Sequence, residues 1–146
     1  MEEIISKNNI QIHQSASTWK EAIEVAGSTL VKSGDITSTY VQMMIDSVIN
    51  LGPYIVLMPG FALAHSAPCK EVIHNCLSVA VFDNDILFGS EKDPVRVVMV
   101  LASTDGESHV AKLQNIAMKL MDDGETFISS IINALSVDEV YNLLNN

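Results

Sequence analysis

Apolar residues recur at helical spacing in the first third of the chain and in near-continuous runs through its middle, and this change of pattern predicts where the elements lie. Trp19, Ala22, Ile23, Ala26 and Leu30 share one helical face, Thr18 with Glu21 fits a capping box, and Gly34 ends the run, so a helix is predicted over 18–33. Thr37 or Ser38 caps a second helix whose Val41, Met44, Ile45 and Val48 face one way, and Gly52-Pro53 stops it. Ahead of both, Ile10-Gln11-Ile12-His13 alternates as a short strand does. Residues 1–8 are polar and are expected to fray.

The middle of the chain reads as sheet. Residues 55–58 form an apolar run between Pro53 and Pro59-Gly60, which predicts a buried strand ended by a sharp break. A loop is expected next, in which Phe61-Ala62-Leu63 carries His65 to the edge of the core and Pro68 stiffens the exit. Residues 77–82 are apolar and rich in β-branched side chains, and Asp83-Asn84-Asp85 is a turn expected to return the chain as 86–88 in a hairpin. After Pro94, residues 95–101 make the strongest strand pattern, closed by Ser103-Thr104-Asp105-Gly106. Its near-continuous apolarity requires burial on both faces, with helices above and below. Val110, Leu113, Ile116, Ala117 and Leu120 supply one helix from near Ser108, and 125–134 and 137–144 two more, the last opened by Ser136 and Glu139. The fold class expected is α/β, a single three-layer α/β/α domain over 1–146 with a mixed central sheet flanked by helices.

Composition narrows the function. At 146 residues with 48% apolar content the chain can bury a self-sufficient core, and no apolar run reaches the roughly 18 residues of a membrane span. No secretory leader opens it, so a cytoplasmic location is expected. Cys69 and Cys76, with no sign of export, are then read as thiols and not as a bridge. A formal charge of −10 with no basic stripe argues against nucleic acid and suits a protein partner with a basic face. His74 with Cys69 and Cys76 lacks the paired spacing of a zinc site, and no metal or organic cofactor is expected.

The residues Gly52-Pro53-Tyr54-Ile55-Val56, Pro59-Gly60, Ala62-Leu63 and His65, followed by Phe88-Gly89, the strand 95–101 and His109, carry a resemblance over nearly the whole chain. They resemble the enzyme IIA components of the bacterial sugar phosphotransferase system, mannitol/fructose superfamily, and most closely the ascorbate-type branch. The resemblance implies the same three-layer architecture and makes His65 the phosphoryl acceptor. A neutral ring nitrogen is nucleophilic near pH 7 and the phosphoramidate it forms stays labile, whereas a serine ester would trap the group. The other nitrogen then needs a fixed acceptor, and the family pattern suggests Nε2 as the attacking atom. Read without the family, His109 is a surface histidine at a helix start. With it, His109 lies beside His65 and donates to the phosphoryl oxygens, with helix N-terminal amides as further donors.

Three positions depart from the family pattern. Ala64 stands where proline usually precedes the histidine, Ser66-Ala67 stand where an arginine often follows, and the helix before Gly52 lacks the arginine of mannitol-type members. Ser66 is the candidate substrate-binding residue that donates one neutral hydrogen bond, and Lys70 a candidate charge. The resemblance implies transfer from the histidine-containing phosphocarrier protein to His65 and on to a cysteine of a IIB component, which serves a membrane IIC component in uptake of an ascorbate-like sugar acid. Two other readings stay open: a regulatory, nitrogen-type protein whose phosphorylation state controls a partner, and a non-catalytic binding domain. A homodimer is a fair expectation for such a domain.

Overall fold

The computed structural model describes residues 3–105 and 110–146, with side chains from residue 114 onward in the second segment. After a single 3-10 turn at Lys7–Asn9 come β1 (Ile10–Gln14), α1 (Trp19–Lys32), α2 (Ser38–Leu51), β2 (Val56–Met58), β3 (Gly60–Ala64), β4 (Cys76–Ile86), β5 (Val95–Ala102), α3 (Val110–Ile132) and α4 (Val137–Asn145). The strands form one mixed sheet in the order β1-β4-β5-β3-β2. β3 runs parallel to β5, β4 antiparallel to β5, β1 parallel to β4, and β2 folds back antiparallel on β3.

Alternate residues of the central strands feed two cores. Ala62, Ala64, Val98, Val100 and Ala102 join Ala22, Ala26, Leu30, Tyr40, Met44 and Val48 of α1 and α2. Phe61, Leu63, Val97, Met99 and Leu101 join Ile116, Ile128, Ile131, Val140 and Leu144 of α3 and α4. Burial on both faces explains why these strands are apolar without alternation, and the expected α/β/α layering is what forms. The predicted caps are in place. Thr18 accepts from the Glu21 amide at 3.2 Å, Thr37 from the Tyr40 amide at 3.3 Å and Ser136 from the Glu139 amide at 3.2 Å, each side chain serving an amide of the first helical turn.

Three local expectations are corrected. The stretch after Pro59 is not a loop: Gly60–Ala64 is a buried strand flanked by β5 and β2, while Val56–Met58 is a short edge strand with Leu57 exposed. Phe61, Ala62, Leu63 and Ala64 have core on both sides, and that burial outweighs their brevity as a strand signal. No hairpin forms at Asp83-Asn84-Asp85. β4 continues to Ile86 with a register shift, because each polar side chain finds a partner: Asp83 meets His13 (3.2 Å), Asn84 bonds both backbone groups of Ala16 (2.8 and 3.3 Å), and Asp85 pairs with Arg96 (2.8 Å). The reversal comes later, where the amides of Phe88, Gly89 and Ser90 converge on the Asp93 carboxylate at 2.8 to 3.1 Å. The helix predicted over 125–134 is distinct from the one before it, as expected: the backbone of α3 breaks at Asp123 (φ −149°, ψ 70°), with Asp123 Oδ1 accepting from the Thr126 amide. The amino-terminal segment is tied down: Ile5 is buried, and the amides of Ile4 and Ile5 donate to Asn145 Oδ1 at 2.6 and 3.1 Å.

The turn between β2 and β3 fixes where β3 starts. Gly60 has φ +91°, and a Cβ there would stand 3.0 Å from Ile128 Cγ2, so the turn admits neither a side chain's backbone preference nor its volume. Gly89 has a similar φ of +83° but open space around it. Gly60→Ala is expected to cost more than the roughly 1–2 kcal/mol of a left-handed backbone alone, and Gly89→Ala about that amount. Urea denaturation of both variants checks the difference.

Candidate functional site

His65 is the first residue beyond β3, and the register shows which chain segments meet it. Ala64 lies opposite Val100, and Cys76 opposite Ala102, so the carboxyl ends of β3 and β5 and the start of β4 open at one rim of the sheet. Residues 103–105 leave β5 at this rim. Their position is fixed across the gap by Asn75, whose Oδ1 accepts from the Thr104 amide at 2.7 Å and from its hydroxyl at 3.1 Å. His109, the second predicted histidine, comes four residues later and lies outside the described residues.

The imidazole of His65 is half-buried and held from two sides. Its Nδ1 lies 3.1 Å from the carbonyl oxygen of Leu63. A carbonyl only accepts, so Nδ1 carries the proton and Nε2 keeps its lone pair. This contact is the kind of fixed acceptor that the phosphoryl-acceptor expectation calls for. Tyr54, in the turn between Gly52 and β2, sets its ring edge-on to the imidazole, with centroids 5.6 Å apart and planes at 89°. Tyr54 is 41% exposed, so one wall of the mouth is an aromatic surface open to solvent.

The next residue is gripped from below. Tyr40, fully buried in α2, donates its hydroxyl proton to the Ser66 carbonyl at 3.0 Å and accepts the Ser66 amide proton at 3.0 Å. Both main-chain groups of Ser66 are thereby occupied, so a hydrogen bond from Ser66 to a bound group has only its side chain to draw on. Tyr40 had no place among the expected site residues. It sits one turn into an apolar helix face, and the one available signal was its hydroxyl, which a buried tyrosine must satisfy. Further along, the 69–75 segment is pinned to the α1–α2 connection. Thr37 donates from its amide to Glu71 O (3.0 Å) and from its hydroxyl to the Glu71 carboxylate (2.7 Å), and His74 Nδ1 meets Asp35 at 2.9 Å. His74 is thus a loop anchor, and Cys69 Sγ rests 3.9 Å from Met43 Sδ.

Lys70, the candidate charge, is exposed in the segment that follows His65, and no arginine stands at the rim. Arg96 is the chain's single arginine; it stands at the opposite end of β5, next to the Val95 that lies across from Gly60, and is paired with Asp85. Any guanidinium at this mouth has to come from another molecule.

This architecture is that of the IIA domains of the sugar phosphotransferase system. The IIA domain in a complex of enzyme IIA and phosphorylated enzyme IIB for mannitol from Escherichia coli superposes with a TM-score of 0.81 at 29% identity, covering 96% of this chain and 96% of that one. Among sequence relatives, the mannitol-specific cryptic enzyme IIA component of Escherichia coli is 26% identical over 95% of this chain and 93% of its own. The ascorbate-specific EIIA component of Salmonella choleraesuis is 30% identical over 73% of this chain and 70% of its own. The chain belongs to the family of phosphoenolpyruvate-dependent sugar phosphotransferase system EIIA 2 proteins, whose pattern it matches over residues 3–146. It is a phosphotransfer protein of that system with mannitol-type and ascorbate-type relatives. Among the described residues no helix is long and apolar enough to cross a membrane.

Burial raises the Tyr40 hydroxyl above its ordinary pKa of 10.0, and the hydrogen bonding to the Ser66 backbone only partly offsets this. Because the folded value lies above the unfolded one, the stability linked to the protonated hydroxyl is complete below about pH 10 and is lost as pH rises through the folded value. Denaturation midpoints measured from pH 8 upward are expected to fall more steeply in the parent than in Tyr40→Phe, which starts lower but has no proton there to lose.

Proposed function

We propose that this protein accepts a phosphoryl group on Nε2 of His65 from the histidine-containing phosphocarrier protein and passes it to a cysteine of a IIB component, in the cytoplasm. The observation that carries the reading is the Nδ1–Leu63 carbonyl bond, which leaves Nε2 unprotonated at the rim. Nε2 attacks phosphorus in line as the nitrogen–phosphorus bond of the donor breaks. If the donor's ring carries a proton on its other nitrogen, it leaves as neutral imidazole, and the His65 ring becomes a phosphorylated imidazolium that keeps its Nδ1 proton. The positive charge that develops faces the Leu63 carbonyl dipole, so the group that sets the tautomer also stabilises the product. In the second step a IIB thiolate forms a sulfur–phosphorus bond, the nitrogen–phosphorus bond breaks, and His65 returns to its neutral form without a net proton transfer.

His109 is the proposed second donor to the phosphoryl oxygens, and the Ser66 hydroxyl a neutral one. Such donors matter because no arginine of this chain reaches the rim. The likeness to an enzyme IIA in complex with phosphorylated IIB, and to ascorbate-specific relatives, supports a IIB partner and an ascorbate-like sugar acid as the transported class, with a membrane IIC component downstream.

Incubation with the phosphorylated carrier protein is expected to label the parent and not His65→Ala; label of equal intensity in that variant overturns the assignment. His109→Ala is expected to accept phosphate and to transfer it at least about tenfold more slowly, the scale of losing one charge-stabilising donor. Onward transfer to an ascorbate-type IIB component checks the transport role.

A further inference from the structure

Tyr40 lies one layer below the rim, in α2, yet it takes hold of the peptide immediately after His65. Its hydroxyl closes a two-way bond with one residue, donating to the Ser66 carbonyl and accepting from the Ser66 amide, both at 3.0 Å. Few side chains can do this: a hydroxyl is donor and acceptor at a single atom, and the rigid ring carries it from the buried face of α2 to the strand end. The residue is fully buried, in a helix whose first turn is capped by Thr37 and latched to Glu71.

This grip has a consequence for His65. The ring's tautomer depends on a 3.1 Å contact between Nδ1 and a carbonyl two residues back in its own chain. Such a bond survives only while the backbone from 63 to 66 keeps its course. Up to Ala64 the course is set by the ladder with β5, which ends there. Beyond it, the anchor closest in the chain is Tyr40. We propose that Tyr40 is a positioning residue for phosphoryl transfer: by holding both main-chain groups of Ser66 it keeps His65 in the Nδ1-protonated form with Nε2 presented to the donor. The inference rests on the assignment of His65 as acceptor, and its test separates the two.

Tyr40→Phe keeps the ring and removes the hydroxyl. In nitrogen-15 NMR spectra of the parent, above the pH at which the ring is charged, His65 is expected to show a protonated Nδ1 and an unprotonated Nε2. In Tyr40→Phe the two shifts are expected to move toward each other as the second tautomer becomes populated. The rate of phosphorylation by the phosphorylated carrier protein at saturating donor is expected to fall about tenfold, with little change in KM, since docking surface is untouched and only the reacting geometry is loosened. Met44→Ala, a lesion on the buried face of the same helix, is the control: it lowers thermal stability but is expected to leave the His65 shifts in place. Unchanged shifts and an unchanged saturating rate in Tyr40→Phe, well below its melting temperature, overturn the proposal. Should that variant not fold, hydrogen exchange of the Ser66 amide in the parent decides, since exchange at the rate of an open loop overturns the grip and strong protection supports it. If the parent itself takes no phosphate on His65, the acceptor assignment fails, while the shift and exchange measurements still report on the grip.

Discussion

One hydrogen bond, from Nδ1 of His65 to the carbonyl oxygen of Leu63, decides what the imidazole can do. Free imidazole in water exchanges its proton between two nitrogens, and a nucleophile that spends its time in the wrong tautomer is wasted. The carbonyl ends that exchange because it can receive a proton and cannot give one. It is available because Leu63 is the penultimate residue of β3, beside the strand's last ladder contacts. The depth of the core on both faces of β3 therefore bears directly on the chemistry: Phe61, Ala62, Leu63 and Ala64 are buried, and their rigidity is what the acceptor inherits.

The segment around Pro59-Gly60 takes on a different meaning in the folded chain. By residue pattern, 55–58 is the strand and the residues after it form a loop that delivers a histidine. Folded, the weight is reversed, since the edge strand β2 is the support and β3 is the platform. A histidine on a loop would rely on local contacts for its orientation, whereas one placed directly after a central strand draws on the whole sheet. Gly60 is where the reversal is enforced, because its positive φ and the closeness of Ile128 leave room for a tight turn with no side chain.

Much of the scaffold was legible from residue type and spacing. The helices capped by Thr18, Thr37 and Ser136, and the doubly buried strand after Pro94, come from strong local signals that tertiary contacts reinforce. The misread stretches are those where the deciding partner is distant. Asp83-Asn84-Asp85 has the composition of a turn, and only the arrival of His13, Ala16 and Arg96 keeps β4 extended through it. The amino-terminal residues look polar until Asn145, 140 positions beyond Ile5, receives the amides of Ile4 and Ile5. Of the candidate site residues, His65 stands out by its motif and Tyr40 does not, because a hydroxyl's partner 26 residues off leaves no periodic trace.

The charge distribution sets the remaining constraint. On the proposed reading, phosphorylation would add close to two negative charges to a chain that already carries a formal −10, and the single arginine is engaged with Asp85 at the far end of β5. Coulomb repulsion with the rest of the surface is mild across solvent, but within the mouth the dianion needs donors at hydrogen-bond range. Hydrogen-bond donors from the chain, with no arginine among them, would orient it without fully neutralising it. A phosphohistidine held this way would not be deeply stabilised, which would suit a group that must move on and favour a partner whose own cations complete the pocket on arrival. On the proposed reading, transfer would be conditional on docking, with the barrier lowered when a basic face of donor or acceptor is seated.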